Sequence, residues 1–387
     1  MSALTPAQVP LALYIHLPWC VRKCPYCDFN SHTAPAGIPE DAYVAALLDD
    51  LAADLRTTQG RPLSSVFIGG GTPSLFSGAA IGRLMDGVRA QVALPASAEV
   101  TLEANPGTVD AANFAGYRAA GVNRLSIGVQ SLRPAQLQAL GRIHSPADVT
   151  RAVATARAAG FDNFNLDLMH GLPGDAPGDA LADLRGALAF RPTHLSWYQL
   201  TIEAGTAFAQ RPPVLPDDEA IAEDFDAGCA LLEAAGFTRY EVSAYARAGH
   251  ESRHNLNYWT FGDYLGIGAG AHGKLTHAQG IVRTLKRRHP QAYLKAAGQG
   301  RAVAVPAADL VTEFMLNALR LRAGFSQALF TQRTGLTWQH IAGPVATGLA
   351  RGWLTRTADG VAPSVLGYRF LSDLQLLFMD GDAPASP

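Results

Sequence analysis

Between residues 11 and 199, short runs of β-branched and apolar residues alternate with longer stretches whose apolar positions recur every three to four residues. That alternation predicts a parallel sheet wrapped by helices, because a half-buried helix repeats at 3.6 residues and a buried strand reads as a short apolar run. Six strands are expected, at 11–16, 65–68, 99–103, 124–129, 163–167 and 194–199, each followed by glycine, proline or polar residues that can close a turn into a helix. Tyr43, Val44, Leu47, Leu48, Leu51 and Leu55 form one helical stripe over the sheet. A later helix, 217–235, begins with acids that suit its N-terminal dipole and stops at Gly236. Ile221, Phe225, Cys229 and Leu232 share one side of it, which assigns Cys229 to packing.

From about 240 to 273 the chain is rich in glycine, aromatics and histidine, and Lys286, Arg287, Arg288 and Pro290 read as a linker. The segments LVTEFMLNALRLRAGF, QHIAGPVATGLARGWL and SVLGYRFLSDLQLLFM then predict a small helix-rich module. The expected organisation is a first domain over 1–290, a second over 291–380, and a disordered tail over 381–387. With 48% apolar residues in 387, there is material for a large core.

The 31 Lys and Arg nearly balance the 33 Asp and Glu, and they are dispersed, so no nucleic-acid footprint is expected. No uninterrupted apolar stretch approaches membrane-spanning length, and no basic segment precedes an apolar core at the start, so no transmembrane segment and a cytoplasmic location are expected. Four cysteines are too few for a disulfide scaffold. Three of them, Cys20, Cys24 and Cys27, fall within eight residues in HLPWCVRKCPYCDFNSH, just after the first strand, and that clustering points to metal.

Soft, anionic thiolates at this density suit an iron–sulfur cluster, which commonly takes four. With three, one iron is left open to a small chelating molecule. The competing reading is a zinc site closed by His16 or His32 as fourth ligand. After the second strand, Gly69, Gly70, Gly71, Thr72, Pro73 and Ser74 form a loop whose bare backbone can approach a ligand, or simply a tight turn. Glu103, Gln130 and Asp167 end the third, fourth and fifth strands, and in β/α barrels such ends converge on one rim. Arg142 offers a guanidinium suited to a carboxylate, and Tyr14 sits inside the first strand.

C-x-x-x-C-x-x-C with Tyr26 before the third cysteine resembles the signature of the radical S-adenosylmethionine (SAM) superfamily. The wider set YIHLPWCVRKCPYCDFNSH, FIGGGTPSLF, EANPGT, NRLSIGVQS, LGRIHS, NLDLMHGLPG, RHNLNYW and GIGAGAHG resembles the HemW-type heme chaperones, a branch close to oxygen-independent coproporphyrinogen III oxidase. The resemblance implies an α/β fold, a partial (β/α)6 radical SAM barrel followed by a small helix-rich C-terminal domain. It implies a [4Fe–4S] cluster on Cys20, Cys24 and Cys27, and SAM contacts at Tyr14, Tyr26, Gly70, Gly71, Thr72, Glu103, Gln130, Arg142 and Asp167.

Phe29 stands where the decarboxylating oxidase carries a further cysteine, and that oxidase's N-terminal extension has no counterpart, so coproporphyrinogen oxidase activity is not expected. The resemblance instead implies a chaperone that binds heme and hands it to acceptor proteins, with an electron donor for the cluster. The other reading is a radical SAM enzyme of tetrapyrrole metabolism. Among histidines, His254 in SRHNLNYW, flanked by Arg253, Tyr258 and Trp259, is the preferred axial ligand to heme, with His250 and His272 as alternates.

Overall fold

A computed structural model of the chain describes residues 4–296 and 298–379; the tail expected at 381–387 lies outside them. Twelve strands make one sheet: β1 Leu11–Leu17, β2 Leu63–Gly70, β3 Glu99–Ala104, β4 Arg124–Gln130, β5 Phe164–His170, β6 His194–Gln199, β7 Thr238–Arg239, β8 Ala244–Ala246, β9 Asp263–Gly268, β10 His272–His277, β11 Gly280–Lys286 and β12 Gly300–Ala304. Their spatial order is β12-β11-β10-β9-β1-β2-β3-β4-β5-β6-β8-β7. The six expected strands are adjacent and parallel, in sequence order from β1 to β6. The sheet is open, a partial barrel: among the described residues its two outer strands do not pair.

Helices Glu40–Leu55, Gly78–Gln91, Ala111–Ala119, Pro146–Ala158, Asp179–Ala189 and Asp218–Ala234 supply the crossovers. Their starts are chemically marked: Ser77, Asp110, Ser145 and Asp217 each accept a backbone N–H of the first turn, and Ser145 and Asp148 form a reciprocal capping box. The first helix buries Tyr43, Val44, Leu47 and Leu51 as its stripe predicts. The second and third helices cross at Gly78 and Gly116, where an added Cβ on either would come within 3 Å of the other's Cα. Cys229 packs partly buried against the main core, with its sulfur 3.2 Å from the Tyr245 hydroxyl.

The segment after 236 departs from expectation. It contributes six of the twelve strands, and β9 runs parallel to β1 on the edge opposite β2. Lys286, expected in a linker, ends β11 and is buried against Asp50 and Asp54. These strands are short and glycine-rich (GIGAGAHG), so neither a two-residue alternation nor a long apolar run reveals them. The C-terminal portion is helix-rich as expected: its helices Leu310–Ala318, Gln327–Thr334 and Ala342–Ala350 pack with a small three-stranded sheet made by Phe325–Ser326, Leu354–Arg356 and Gly360–Pro363. Phe261 and Ile281 of the large-sheet portion join that second core.

Asp263, at the first position of β9, is fully buried and accepts from Arg61 (2.8 Å), Lys274 (3.0 Å), and both the hydroxyl (2.8 Å) and the amide (2.9 Å) of Thr276. Burial opposes its charge, but Lys274, the Thr276 amide and Arg61 hold the carboxyl below its ordinary range. Asp263→Asn is expected to cost about 3–5 kcal/mol in chemical denaturation, because two buried cations lose their counter-charge. A loss under about 1 kcal/mol would mean that the hydrogen bonds, rather than the charge, hold this junction.

A cavity lined by three thiols and paired acids

The chain leaves β1 at Leu17 and makes a loop held at both ends by backbone pairing. Trp19–Cys20 bridges His32–Thr33, while Gly71 and Thr72 donate their amides to the carbonyls of Leu17 and Trp19, both at 2.8 Å. Trp19 is wedged between Tyr43 and Phe76, so the root of the loop belongs to the core. A Cβ on Gly71 would stand 2.6 Å from the Trp19 carbonyl oxygen, which is why this position has no side chain. From this rigid root Cys20, Cys24 and Cys27 all open onto one cavity of about 470 Å³ at the C-terminal ends of the strands.

The same cavity is lined by Tyr26, Gly70, Gly71, Thr72, Glu103, Gln130, Arg142 and Asp167. Glu103 accepts the Gly70 amide at 3.0 Å. Asp167 accepts from Asn165 (2.7 Å) and Ser126 (3.1 Å). Burial pushes the Glu103 carboxyl up to about 8, with Asp167 adding to the rise, and burial likewise raises Asp167. Two acids thus face a pocket that resists their joint ionisation until something cationic or hydrogen-bonding enters it.

Gln130 has φ 67° at a register shift between Gly128 and Gln130, a bulge that re-aims its amide, and the Tyr198 hydroxyl donates to that amide oxygen at 2.7 Å. Arg142 donates to the Gly128 carbonyl (2.6 Å) and reaches the Cys24 sulfur (3.8 Å), while its buried Nε has no partner. Burial raises the thiols of Cys20 and Cys27. Iron would displace those protons and remove the penalty.

Two expected contacts lie elsewhere. Tyr14 does not line the cavity; its hydroxyl shares a hydrogen bond with His16 Nδ1 at 2.9 Å and its ring stacks near Phe67. His254 is 1% exposed at the opposite end of the barrel, where Glu99 at the start of β3 accepts its amide. Its ring nitrogens engage Ser65 (3.2 Å) and Tyr258 (3.0 Å), and burial lowers its pKa to about 3. The structure therefore brings eleven of the residues expected for cluster and cofactor, Arg142 among them, to one site and leaves Tyr14 and the heme candidate His254 outside it. His250 and His272 are also absent from its lining.

Ser126, Met169, Ser196 and Tyr198 line the cavity without having been singled out. Ser126 lies four residues from Gln130, Met169 two from Asp167, and Ser196 is in register with Asp167, so period-two reasoning along β4, β5 and β6 reaches these three and then Tyr198, two beyond Ser196.

The donor set fits an open cluster better than zinc. Among the described residues no three His, Cys, Asp or Glu side chains close on a single ion. His16, one of the two histidines considered as a fourth ligand, has both ring nitrogens committed, to Tyr14 and to the Asn30 carbonyl (2.9 Å). No helix among the described residues is long and apolar enough to cross a membrane.

The radical SAM superfamily profile matches residues 14–185, and the HemN C-terminal domain profile matches 305–370. The heme chaperone HemW of Escherichia coli (strain K12) is 52% identical over 371 residues, covering 96% of this chain and 98% of that protein. Heme chaperone HemW of Haemophilus influenzae is 48% identical, covering 97% and 99%. The structure of coproporphyrinogen III oxidase (HemN) from Escherichia coli superposes with a TM-score of 0.81 at 22% identity, covering 96% of this chain and 90% of that one, a likeness of fold alone. The chain belongs to the HemW family, a radical SAM domain joined to a HemN-type C-terminal domain.

Proposed function

We propose that this protein binds heme and passes it to acceptor proteins in the cytoplasm, on a scaffold that holds a [4Fe–4S] cluster at Cys20, Cys24 and Cys27 and SAM beside it. The observation that carries the reading is the near-full-length identity to proteins named heme chaperones, combined with Phe29 in the place of the oxidase's further cysteine. When bound, cluster and SAM supply one-electron chemistry, with electrons from a separate donor protein.

The chain's own residues do the positioning. Arg142, beside Cys24, suits a ligand carboxylate and offsets the negative charge of the thiolates. The acids Glu103 and Asp167 suit an amine and hydroxyls, and the Gly70–Thr72 backbone brings polar groups close without side chains between. Tyr26 and Tyr198 wall the pocket.

Heme added to protein reconstituted without oxygen is expected to bind at one equivalent per chain and to move to an apo-acceptor on mixing. A reconstituted chain that retains no heme overturns the reading. A radical SAM enzyme acting on a tetrapyrrole is the second reading, favoured by the complete set of polar groups around the cavity. It requires release of 5′-deoxyadenosine coupled to loss of a tetrapyrrole; SAM cleavage unaffected by a tetrapyrrole panel counts against it.

A further inference from the structure

Below the floor of the cavity the inside of the barrel is polar. Glu103, Ser126, Asp167 and Ser196 line the cavity, so residues an even number of positions earlier on β3, β4, β5 and β6 share their inward face. Those residues are Glu99, Thr101, Arg124, Asn165 and His194, all buried. Layers inside a β/α barrel are ordinarily branched and apolar, and a buried polar group is costly unless it is hydrogen-bonded. Here four neighbouring strands contribute a polar layer in that place.

The layer carries one directed run of hydrogen bonds. The Asn165 amide donates to Asp167 at 2.7 Å and to the Ser126 hydroxyl at 2.8 Å, which turns its oxygen toward His194 Nδ1, also at 2.7 Å. Facing an amide oxygen, Nδ1 must carry a proton. Burial, with the charges of Arg124 and His250, holds this imidazole neutral, well below its ordinary range, so Nε2 is bare and accepts the Tyr240 hydroxyl at 2.8 Å. The Tyr240 oxygen in turn accepts the Ser252 amide at 3.2 Å. From Ser252 through Tyr240, His194 and Asn165, every proton points toward Asp167.

The far end of the run is the start of the short helix Arg253–Trp259, which Ser252 caps by accepting the Asn255 amide. Glu99 accepts the amides of Arg253 and His254, both at 3.2 Å. Three successive amides at the head of this helix, those of Ser252, Arg253 and His254, thus hang on groups reached from inside the barrel. Hydrogen bonds in such a run polarise one another, so a charge at one end strengthens each of them.

We propose that this run couples the cofactor cavity to the helix Arg253–Trp259: when a ligand in the cavity engages Asp167 as a carboxylate, each hydrogen bond aimed at it strengthens and the first turn of the helix is held more tightly. Tyr240 and His194 serve as positioning residues, and neither lines the cavity. The proposal rests on the SAM-binding reading and goes beyond it, because it joins that site to the opposite end of the barrel.

The test is amide hydrogen exchange over residues 252–259 in the cluster-loaded full chain, with and without saturating SAM, for the parent and its Tyr240→Phe, His194→Phe and Tyr258→Phe variants, with iron, sulfide and SAM uptake counted on each. SAM is expected to slow exchange of the parent's helix about five-fold or more, and breaking the run at either link, Tyr240→Phe or His194→Phe, to abolish that response. Tyr258→Phe removes a hydroxyl from His254 Nε2, on the same helix but outside the run, and should loosen the helix while keeping the response. Exchange that ignores SAM in the parent, or slows equally in Tyr240→Phe, overturns the coupling while the SAM reading stands. A loaded chain that takes up no SAM removes that reading and the coupling with it.

Discussion

Replacing Cys20, Cys24 or Cys27 with alanine, one at a time, is expected to abolish the brown colour of the reconstituted protein. Iron and sulfide should fall from about four each per chain to background. The three thiols enter one cavity from a single loop, and no other described cysteine is near, since Cys229 packs against Tyr245. Two remaining thiolates leave two irons of a cubane without protein ligands. SAM affinity, read by equilibrium dialysis, should drop roughly 100-fold, at the upper end of what disturbed metal surroundings produce. Far-UV circular dichroism should stay unchanged, because the loop's fixed points are backbone contacts and Trp19 rather than the sulfurs. A colourless starting protein holding stoichiometric zinc, and losing it in these variants, would reverse the assignment of the metal.

Glu103→Gln is expected to separate stability from binding. In the folded apoprotein this carboxyl titrates near 8, raised from the ordinary carboxylate range by burial and by Asp167. Below the unfolded value both states are protonated and the group costs nothing. As pH climbs between the two values the unfolded chain ionises and the folded one does not, so stability falls, and above about 8 the full penalty is present. Glutamine keeps an oxygen for the Gly70 amide and carries no charge. The variant should therefore melt about 2–4 °C higher than the parent near pH 9, the shift that roughly 1 kcal/mol produces in a large domain, and about the same near pH 5. Its SAM affinity should fall at both values. A melting gain that does not depend on pH would show that the acid is not the source of the strain.

The legibility of this molecule was uneven for physical reasons. β1 to β6 were readable as short runs set off by turn residues: Leu11–Leu17 is buried at every position but Tyr14, although β6 buries only three of its six residues. The cysteines, the glycine loop and the strand-end acids were readable because each is chemically costly to place at random. Tyr14 sits at an inward position of β1, and nothing in one strand's pattern says how far along the barrel axis an inward side chain lies from the thiols. His254 was chosen for its neighbours Arg253, Tyr258 and Trp259, and one of them, Tyr258, encloses it together with Phe67 from β2.

The parallel partner of β1 comes from residues 263–268, with Leu11 to His16 paired to Asp263 to Gly268. Asn30 of the cysteine loop likewise hangs from the carbonyls of Ala269 and Arg288. The signature-bearing portion, 14–185, is thus not an exchangeable cassette. Grafted onto another C-terminal half it would bring β1 with one edge bare to water and a cysteine loop fastened on one side only. Recombination between relatives would be tolerated only where both halves travel together, so a graft preserving every motif residue can still lose its metal.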